Sequence, residues 1–268
     1  MTAPSHQSPR ANVLGVGLSA INLDQAVAAI AHALEHKNKG YVCVTGVHGV
    51  SEAQSDPGFR RILNRSFLTT PDGMPMVWMG RLQGYRQMGR VYGPDLMLRV
   101  CELSRSPALA GYRHFLYGGA PGVAEELKCR LEEKFPGLRV AGTFTPPFRP
   151  LTAQEEDDLA RQVAALKPDI FWVGLSTPKQ EKFMAEHWQK LEATLFFGVG
   201  AAFDFHTGRL QQAPRWMQRS GLEWLFRFAC EPRRLWKRYM KNNPLFVLRA
   251  IGQLTGLRRY PLDDRVNS

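Results

Sequence analysis

Asp72 stands in TTPDGMP, where a short apolar, β-branched run stops at Pro-Asp-Gly and an apolar segment follows at once. A carboxylate at the C-terminal end of a strand can take the proton from an attacking hydroxyl. The same residues also make an ordinary turn, or cap a helix starting near Met74. Two other segments have the composition of an anion cradle. YGGAPGVAEE, Tyr117–Glu126, joins a strand to a helix through Gly118 and Gly119, with Pro121 near the helix start. Glycines let a ligand approach the backbone, and free N–H groups at a helix start attract phosphate. GLSTPKQE, Gly174–Glu181, has the same design, with Thr177 as N-cap, Pro178 as first helical residue and Gln180 as third. That is also a T-x-x-Q capping box, so Gln180 has a structural reading beside the functional one.

The elements that must carry these segments alternate along the chain. Predicted strands are Val13–Val16, Tyr41–Thr45, Phe67–Thr70, His114–Tyr117, Arg139–Thr143, Asp169–Gly174 and Thr194–Val199. They are short and apolar without strict alternation, as strands covered on both faces are. Between them, Asp24–His36 and Pro121–Phe135 carry helical apolar spacing, and Thr152–Leu166 opens with a Thr152/Glu155 capping box. Strands alternating with helices predict an α/β fold, a Rossmann-like, mostly parallel sheet flanked by helices. In such sheets ligands bind beyond the carboxyl ends of the strands. GVHGV, PDGMP, GGAPG, LSTPKQE and GAAFDFHTG all follow predicted strand ends.

The chain has 268 residues, 44% of them hydrophobic, enough for a buried core. Its net charge is +11, which points to an acidic partner such as nucleic acid, nucleotide-sugar phosphates or an anionic membrane. From Arg215 onward there are 12 Arg/Lys and 4 Asp/Glu, a net +8 that leaves +3 for the first 214 residues. In that tail Trp216, Trp224, Phe226, Phe228, Trp236 and Tyr239 interleave with arginines and lysines, and helix breaks are predicted at Glu231-Pro232 and Asn243-Pro244. The division that follows is a disordered N-terminus, 1–11, an α/β domain with a nucleotide crevice at its sheet edge, 12–212, and a helical, membrane-associating appendage, 213–268. No apolar run approaches the ~18 residues of a spanning helix. The four cysteines form no C-x-x-C pair and the N-terminus has no apolar signal region, so reduced thiols in the cytoplasm are expected.

Three motifs have blander explanations. GVGLSA, Gly15–Ala20, fits G-x-G-x-x-A, but the helix starts later and no acidic residue ends the next strand. HALEH, His32–His36, fits a zinc pattern, yet both histidines fall opposite the apolar face. The arginine-rich tail comes with no recognisable nucleic-acid module, and its long apolar side chains suit an interfacial surface better. No nucleic-acid partner is expected.

Six segments together resemble the WecB/TagA/CpsF glycosyltransferases, glycosyltransferase family 26. They are TTPDGMPMVW, RVYGPDLM, FLYGGAPGVAEE, PDIFWVGLSTPKQEKFM, FFGVGAAFDFHTG and QQAPRWMQRSGLEWLFRFACEPRRLWKRY, spread over roughly residues 12–245. The resemblance implies inverting transfer of a hexose or N-acetylhexosamine-type sugar from a UDP-sugar to a polyprenyl-diphosphate-linked sugar. The setting it implies is exopolysaccharide or cell-surface polysaccharide synthesis, peripheral on the inner face of the bacterial plasma membrane. The position matching the family's general base is Asp72. Thr45, Arg90 and Gln180 match family site residues, and Arg227, Arg233 and Arg234 match its C-terminal arginines. Gly73, Gly118, Gly119, Pro178 and Glu181 complete the expected substrate-binding set. Val47 stands where many relatives carry Asn, and the VTGVHGV segment looks most like exopolysaccharide members. No D-x-D pair suited to a metal is present, so no metal or other cofactor is expected. The composition leaves a homo-oligomer open. Two rival classes remain: a nicotinamide-dependent oxidoreductase using Gly15–Ala20, and a non-enzymatic basic protein binding membrane or nucleic acid.

Overall fold

The computed structural model describes residues 8–105 and 111–262. Its strands are β1 (Arg10–Val13), β2 (Val16–Ser19), β3 (Gly40–Thr45), β4 (Leu68–Pro71), β5 (Arg113–Gly118), β6 (Arg139–Phe144), β7 (Ile170–Gly174) and β8 (Leu195–Gly198). The helices through the middle of the chain are α1 (Leu23–Glu35), α2 (Val47–Glu52), α3 (Pro57–Arg65), α4 (Met74–Leu82), α5 (Gly93–Leu103), α6 (Val123–Lys134), α7 (Ala153–Leu166) and α8 (Lys179–His187). α9 (Ala202–His206), α10 (Arg215–Arg219), α11 (Glu223–Cys230) and α12 (Pro232–Leu254) follow. The fold is α/β: six strands form one parallel sheet in the order β4-β3-β8-β7-β5-β6, flanked by helices.

By contacts the chain forms two compact units: the described parts of Met1–Leu23, Thr45–Val91 and Ala213–Ser268, and Asp24–Val44 with Tyr92–Gln212. This differs from a linear division at residue 212, because the tail helices belong with the segment that carries Asp72.

The second unit holds β5 to β8. Phe115, Phe171, Trp172, Phe196 and Phe197 are fully buried, and Phe171 stacks between Phe115 at 5.0 Å and Phe196 at 4.8 Å. β7 and β8 are buried almost throughout, which is why their sequences do not alternate. The predicted capping box forms: Thr152 Oγ1 accepts from the Glu155 N–H, and the Thr152 N–H donates to Glu155 Oε2 at 2.8 Å. His32 and His36 are exposed and stack on each other, away from the buried Val27, Ile30 and Leu34.

The first unit opens with a hairpin where a single strand, Val13–Val16, is expected. β1 and β2 pair antiparallel across Leu14-Gly15, whose φ angles of 53° and 81° suit a two-residue hairpin turn. The short span reads as one strand because Val13, Leu14 and Val16 are apolar and fully buried, so the turn between the two arms carries no polar turn residue. GVGLSA is therefore turn plus second strand, with no helix to receive a dinucleotide. Asn64 fastens it, accepting from the Gly17 N–H at 2.9 Å and donating to the Gly15 carbonyl at 3.0 Å. Of the expected disordered segment 1–11, residues 1–7 lie outside the described residues, while Arg10 and Ala11 are in β1.

α12 also departs from expectation, running unbroken through Pro244. A proline inside a helix forfeits a backbone hydrogen bond and costs ~3 kcal/mol. Burial of Leu235, Phe246 and Ala250 along one face offsets that cost. The same face carries Gln253, which accepts from the Leu14 N–H and donates to the Asn12 carbonyl, each at 2.9 Å. The predicted break at Glu231-Pro232 separates α11 from α12.

Candidate active site

β4 delivers Asp72. The Asp72 N–H donates to the Thr45 carbonyl at 2.9 Å, and the Val91 N–H donates to the Pro71 carbonyl at 2.8 Å. The turn is thus pinned from both sides. Gly73 then takes φ +91° and is itself the N-cap of α4, where no side chain caps the helix. Asp72 is a turn residue and not the cap. Gly46 follows β3 for a steric reason: a Cβ there would stand 2.8 Å from the Asp72 carbonyl oxygen.

Around the Asp72 carboxylate the first unit gathers a charged cluster. Arg90 Nη2 lies 3.7 Å from Asp72 Oδ1 and also donates to Glu223 Oε2 on α11. Its Nη1 donates to Gln218 Oε1 at 3.0 Å. Gln218, on α10, is buried and donates in turn to the Ala213 carbonyl at 2.8 Å. The Arg90 side chain is 12% exposed and that of Asp72 32%, so the cation is largely enclosed while the carboxylate reaches solvent. Thr45 is buried, and its Oγ1 has no hydrogen-bond partner among the described residues. A buried hydroxyl in that state ordinarily costs stability, which suits a group kept for a ligand.

The second unit holds the glycine-rich strand ends. Gly118 and Gly119 take φ of 122° and 78°, and the Gly119 N–H donates to the Gly174 carbonyl at 3.0 Å. A Cβ on Gly118 would meet that same carbonyl oxygen at 2.6 Å. These glycines have a packing role whatever they bind. Gln180 and Glu181 are both buried at the start of α8. The expected Thr177 capping box does not form: Pro178 is the N-cap and no side chain caps the helix. Instead Gln180 Oε1 accepts from the Gly200 N–H at 2.9 Å, tying the loop after β7 to the loop after β8. Glu181 Oε1 accepts from Gln180 Nε2 at 3.0 Å and from Thr177 Oγ1 at 2.8 Å. Burial pushes the Glu181 carboxyl above its ordinary range, and these two hydrogen bonds pull the other way.

The profile of the glycosyl transferase WecG/TagA/CpsF family matches residues 11–260. The chain belongs to this family. A Bacillus subtilis relative, named N-acetylglucosaminyldiphosphoundecaprenol N-acetyl-beta-D-mannosaminyltransferase, is 28% identical over 220 residues, 82% of each chain. A Bacillus spizizenii protein of the same name is 29% identical over 212 residues, 79% of each chain. The chain is accordingly an enzyme, a glycosyltransferase.

Within this WecG/TagA/CpsF transferase, Asp72, Thr45, Gly73 and Arg90 lie in one compact unit, and Gly118, Gly119, Pro178, Gln180 and Glu181 in the other. The tail reaches Arg90 through Gln218 and Glu223, two residues that sequence reasoning passed over. Glu223 stands in the EWLFR block, four residues before Arg227, and Gln218 lies just ahead of that block, but no local pattern pairs either with Arg90. Of the three expected tail arginines, Arg234 pairs with Glu231 at 2.5 Å, Arg233 is exposed and Arg227 is half-buried.

α12 packs against α2 with Asn242 Nδ2 3.2 Å from His48 Nδ1. Its outward face carries exposed Trp236, Met240, Val247, Ile251 and Leu254, spaced so that they share one stripe. Exposed Arg234, Lys237 and Lys241 border the stripe. Among the described residues, no helix is long and apolar enough to cross a membrane. One group of side chains among the described residues has cation-ligand types: Glu156 on α7 with Glu186 and His187 on α8. Glu186 is already paired with Lys190 at 3.1 Å.

Proposed function

We propose that this transferase moves a hexose or N-acetylhexosamine-type sugar, with inversion, from a UDP-sugar to a polyprenyl-diphosphate-linked sugar in cell-surface polysaccharide synthesis. The observation that carries the reading is the Asp72 turn, pinned to Thr45 and Val91, with a partly exposed carboxylate beside the enclosed Arg90. The relatives' names support a lipid-diphosphate acceptor bearing an amino sugar.

In the reaction, Asp72 takes the proton from the acceptor hydroxyl as its oxygen attacks the anomeric carbon of the donor. The bond from that carbon to the diphosphate oxygen breaks, and UDP leaves with the electron pair. Arg90 offers a guanidinium to a phosphate, and Thr45 offers a hydroxyl to the substrate. Within the second unit, Gln180 and Glu181 hold the loops after β7 and β8 in a fixed arrangement. The charges on the leaving group are met by side-chain cations and backbone N–H groups, with no metal or cofactor required. The stripe on α12, bordered by basic side chains, rests on an anionic bilayer surface where the lipid acceptor resides.

The test is a panel of UDP-sugars against polyprenyl-diphosphate-linked acceptors, with mass spectrometry of the lipid product in the presence and absence of EDTA. A lipid product one sugar heavier, formed with UDP release and unaffected by EDTA, supports the reading. Absence of product across the panel with well-folded enzyme refutes it.

A further inference from the structure

The Arg90 guanidinium meets the carboxylates of both Asp72 and Glu223. Nη2 is in hydrogen-bond contact with Glu223 Oε2 and stands 3.7 Å from Asp72 Oδ1, outside hydrogen-bond reach. Nη1 is held by the neutral Gln218, itself fixed by the Ala213 carbonyl. The Arg90 and Glu223 side chains are 12% and 17% exposed, so water screens their interaction only in part. A cation beside a carboxylate makes it a weaker base, and a second carboxylate on the same cation restores basicity. The charged partner of Asp72 is Arg90, from the segment before Val91, and Glu223 of α11 meets the same guanidinium. Beyond Gln218 lies Arg215 of α10, whose Nη1 is 3.5 Å from Gln218 Oε1. At the strand-end turn itself, Thr45, Gly46 and Gly73 adjoin Asp72 and carry no charge.

We infer that Glu223 is a positioning residue that acts through Arg90: it holds the guanidinium off Asp72 and offsets its charge, keeping Asp72 basic enough to accept a proton. The tail thus contributes an acid to the reaction centre in addition to any arginine. The catalytic consequence rests on the reading of Asp72 as general base. The electrostatic coupling does not.

The experiment uses the full chain with Glu223→Gln, whose amide oxygen still accepts from Arg90 while the negative charge is gone. Carbon-13 NMR of aspartate-labelled protein, with the Asp72 signal assigned by its loss in Asp72→Asn, follows the carboxyl titration without substrate. The Asp72 midpoint is expected to fall by about half a pH unit or more in Glu223→Gln. In turnover assays the acid limb of the kcat/KM profile moves the same way and kcat drops about threefold to tenfold, with KM for either substrate unchanged. Gln218→Glu, which adds a carboxylate to the other side of Arg90, moves the midpoint upward and covers the case in which Glu223→Gln does not fold. An unmoved Asp72 midpoint in whichever variant folds overturns the inference, since a merely structural role for Glu223 predicts that result. Near-normal turnover in Asp72→Asn instead removes the general-base reading and leaves the NMR titration to decide the coupling.

Discussion

The backbone of Asp72 is tied to that of Thr45 by a 2.9 Å hydrogen bond, so the ends of β4 and β3 are locked in register. The carboxylate therefore projects from a turn that cannot drift without breaking a strand-end contact. That rigidity is of use to a base that must meet one hydroxyl, because misplacement by about 1 Å can cost 10²-fold in rate.

Asp72→Asn should lower kcat by about 10²-fold or more, within the range a positioned base contributes, while leaving the Kd for UDP-sugar within about twofold. The amide keeps the side-chain volume and leaves the backbone bonds untouched, so thermal unfolding should stay close to wild type. Single-turnover kinetics alongside calorimetric binding of the donor separate the two effects. Turnover within a few-fold of wild type would reduce Asp72 to a turn residue.

Gly46→Ala tests the packing beneath that turn. The new Cβ would lie 2.8 Å from the Asp72 carbonyl oxygen, and backbone there has little freedom to retreat. A loss of about 1–3 kcal/mol in unfolding free energy is expected, typical of overpacking. Denaturant titration measures it. A stability change below about 0.5 kcal/mol would mean that the turn is softer than its hydrogen bonds imply.

What the sequence makes legible here is what depends on neighbours along the chain. Thr152 and Glu155 lie three residues apart, and their capping box forms as read. The apolar runs of the parallel strands are equally local signals. The same reasoning misplaced Thr177 and Gln180, whose spacing also suits a capping box, because the Gly200 N–H, twenty residues away, takes the Gln180 oxygen instead. Glu223 and Gln218 were invisible for the same reason: Arg90 is over a hundred residues distant from either. The hairpin at Leu14-Gly15 escapes a sequence reading because its turn carries a buried, apolar Leu14 where a polar turn residue is usual.

Glu181→Gln should raise stability at neutral pH and leave it unchanged in acid. Burial raises the folded-state carboxyl above its unfolded value, so the folded protein holds this proton more tightly than the unfolded chain. The stability it contributes is complete below the unfolded value and is lost as pH rises through the folded one. Glutamine retains an oxygen for the Thr177 and Gln180 donors and never ionises. Melting temperatures at about pH 4.5 and pH 8 should therefore diverge between wild type and variant only at the higher pH. A parallel offset at both would sink the assignment.

His114 predicts the opposite slope in acid. Burial drives its folded-state pKa down to about 3. Its Nδ1 accepts from Trp172 Nε1 at 2.9 Å, while Nε2 pairs with Ser104 Oγ, also at 2.9 Å. Protonation would set two donors face to face. For this depressed group, stability is complete above the unfolded value near 6.5 and is lost as pH falls toward 3. The expected slope approaches ~1.4 kcal/mol per pH unit at its steepest, one proton's worth. Unfolding free energies between about pH 7 and pH 4, corrected with a carboxylate-only control, should show it. If His114 already carries a proton in the folded protein at pH 5 by NMR, the assignment is wrong.

Membrane attachment is best tested by point substitution rather than by cutting the tail away. Truncation near Arg215 would remove Gln218 and Glu223 from Arg90 and Gln253 from the β1–β2 turn, so loss of function could follow from damage to the fold. Met240 and Ile251 are 66% and 51% exposed on the outward face of α12, and neither supports the buried side. Met240→Asp with Ile251→Asp places two negative charges in the stripe, opposing both the apolar and the electrostatic parts of binding to an anionic surface. Co-sedimentation with vesicles rich in anionic lipid should fall by about tenfold or more, roughly 0.7 kcal/mol or greater per substitution. Turnover on a short-chain, water-soluble acceptor analogue should persist, and turnover on the full-length lipid should fall with binding. Unchanged sedimentation would show that another surface meets the membrane, and loss of both activities would place the stripe inside the reaction centre.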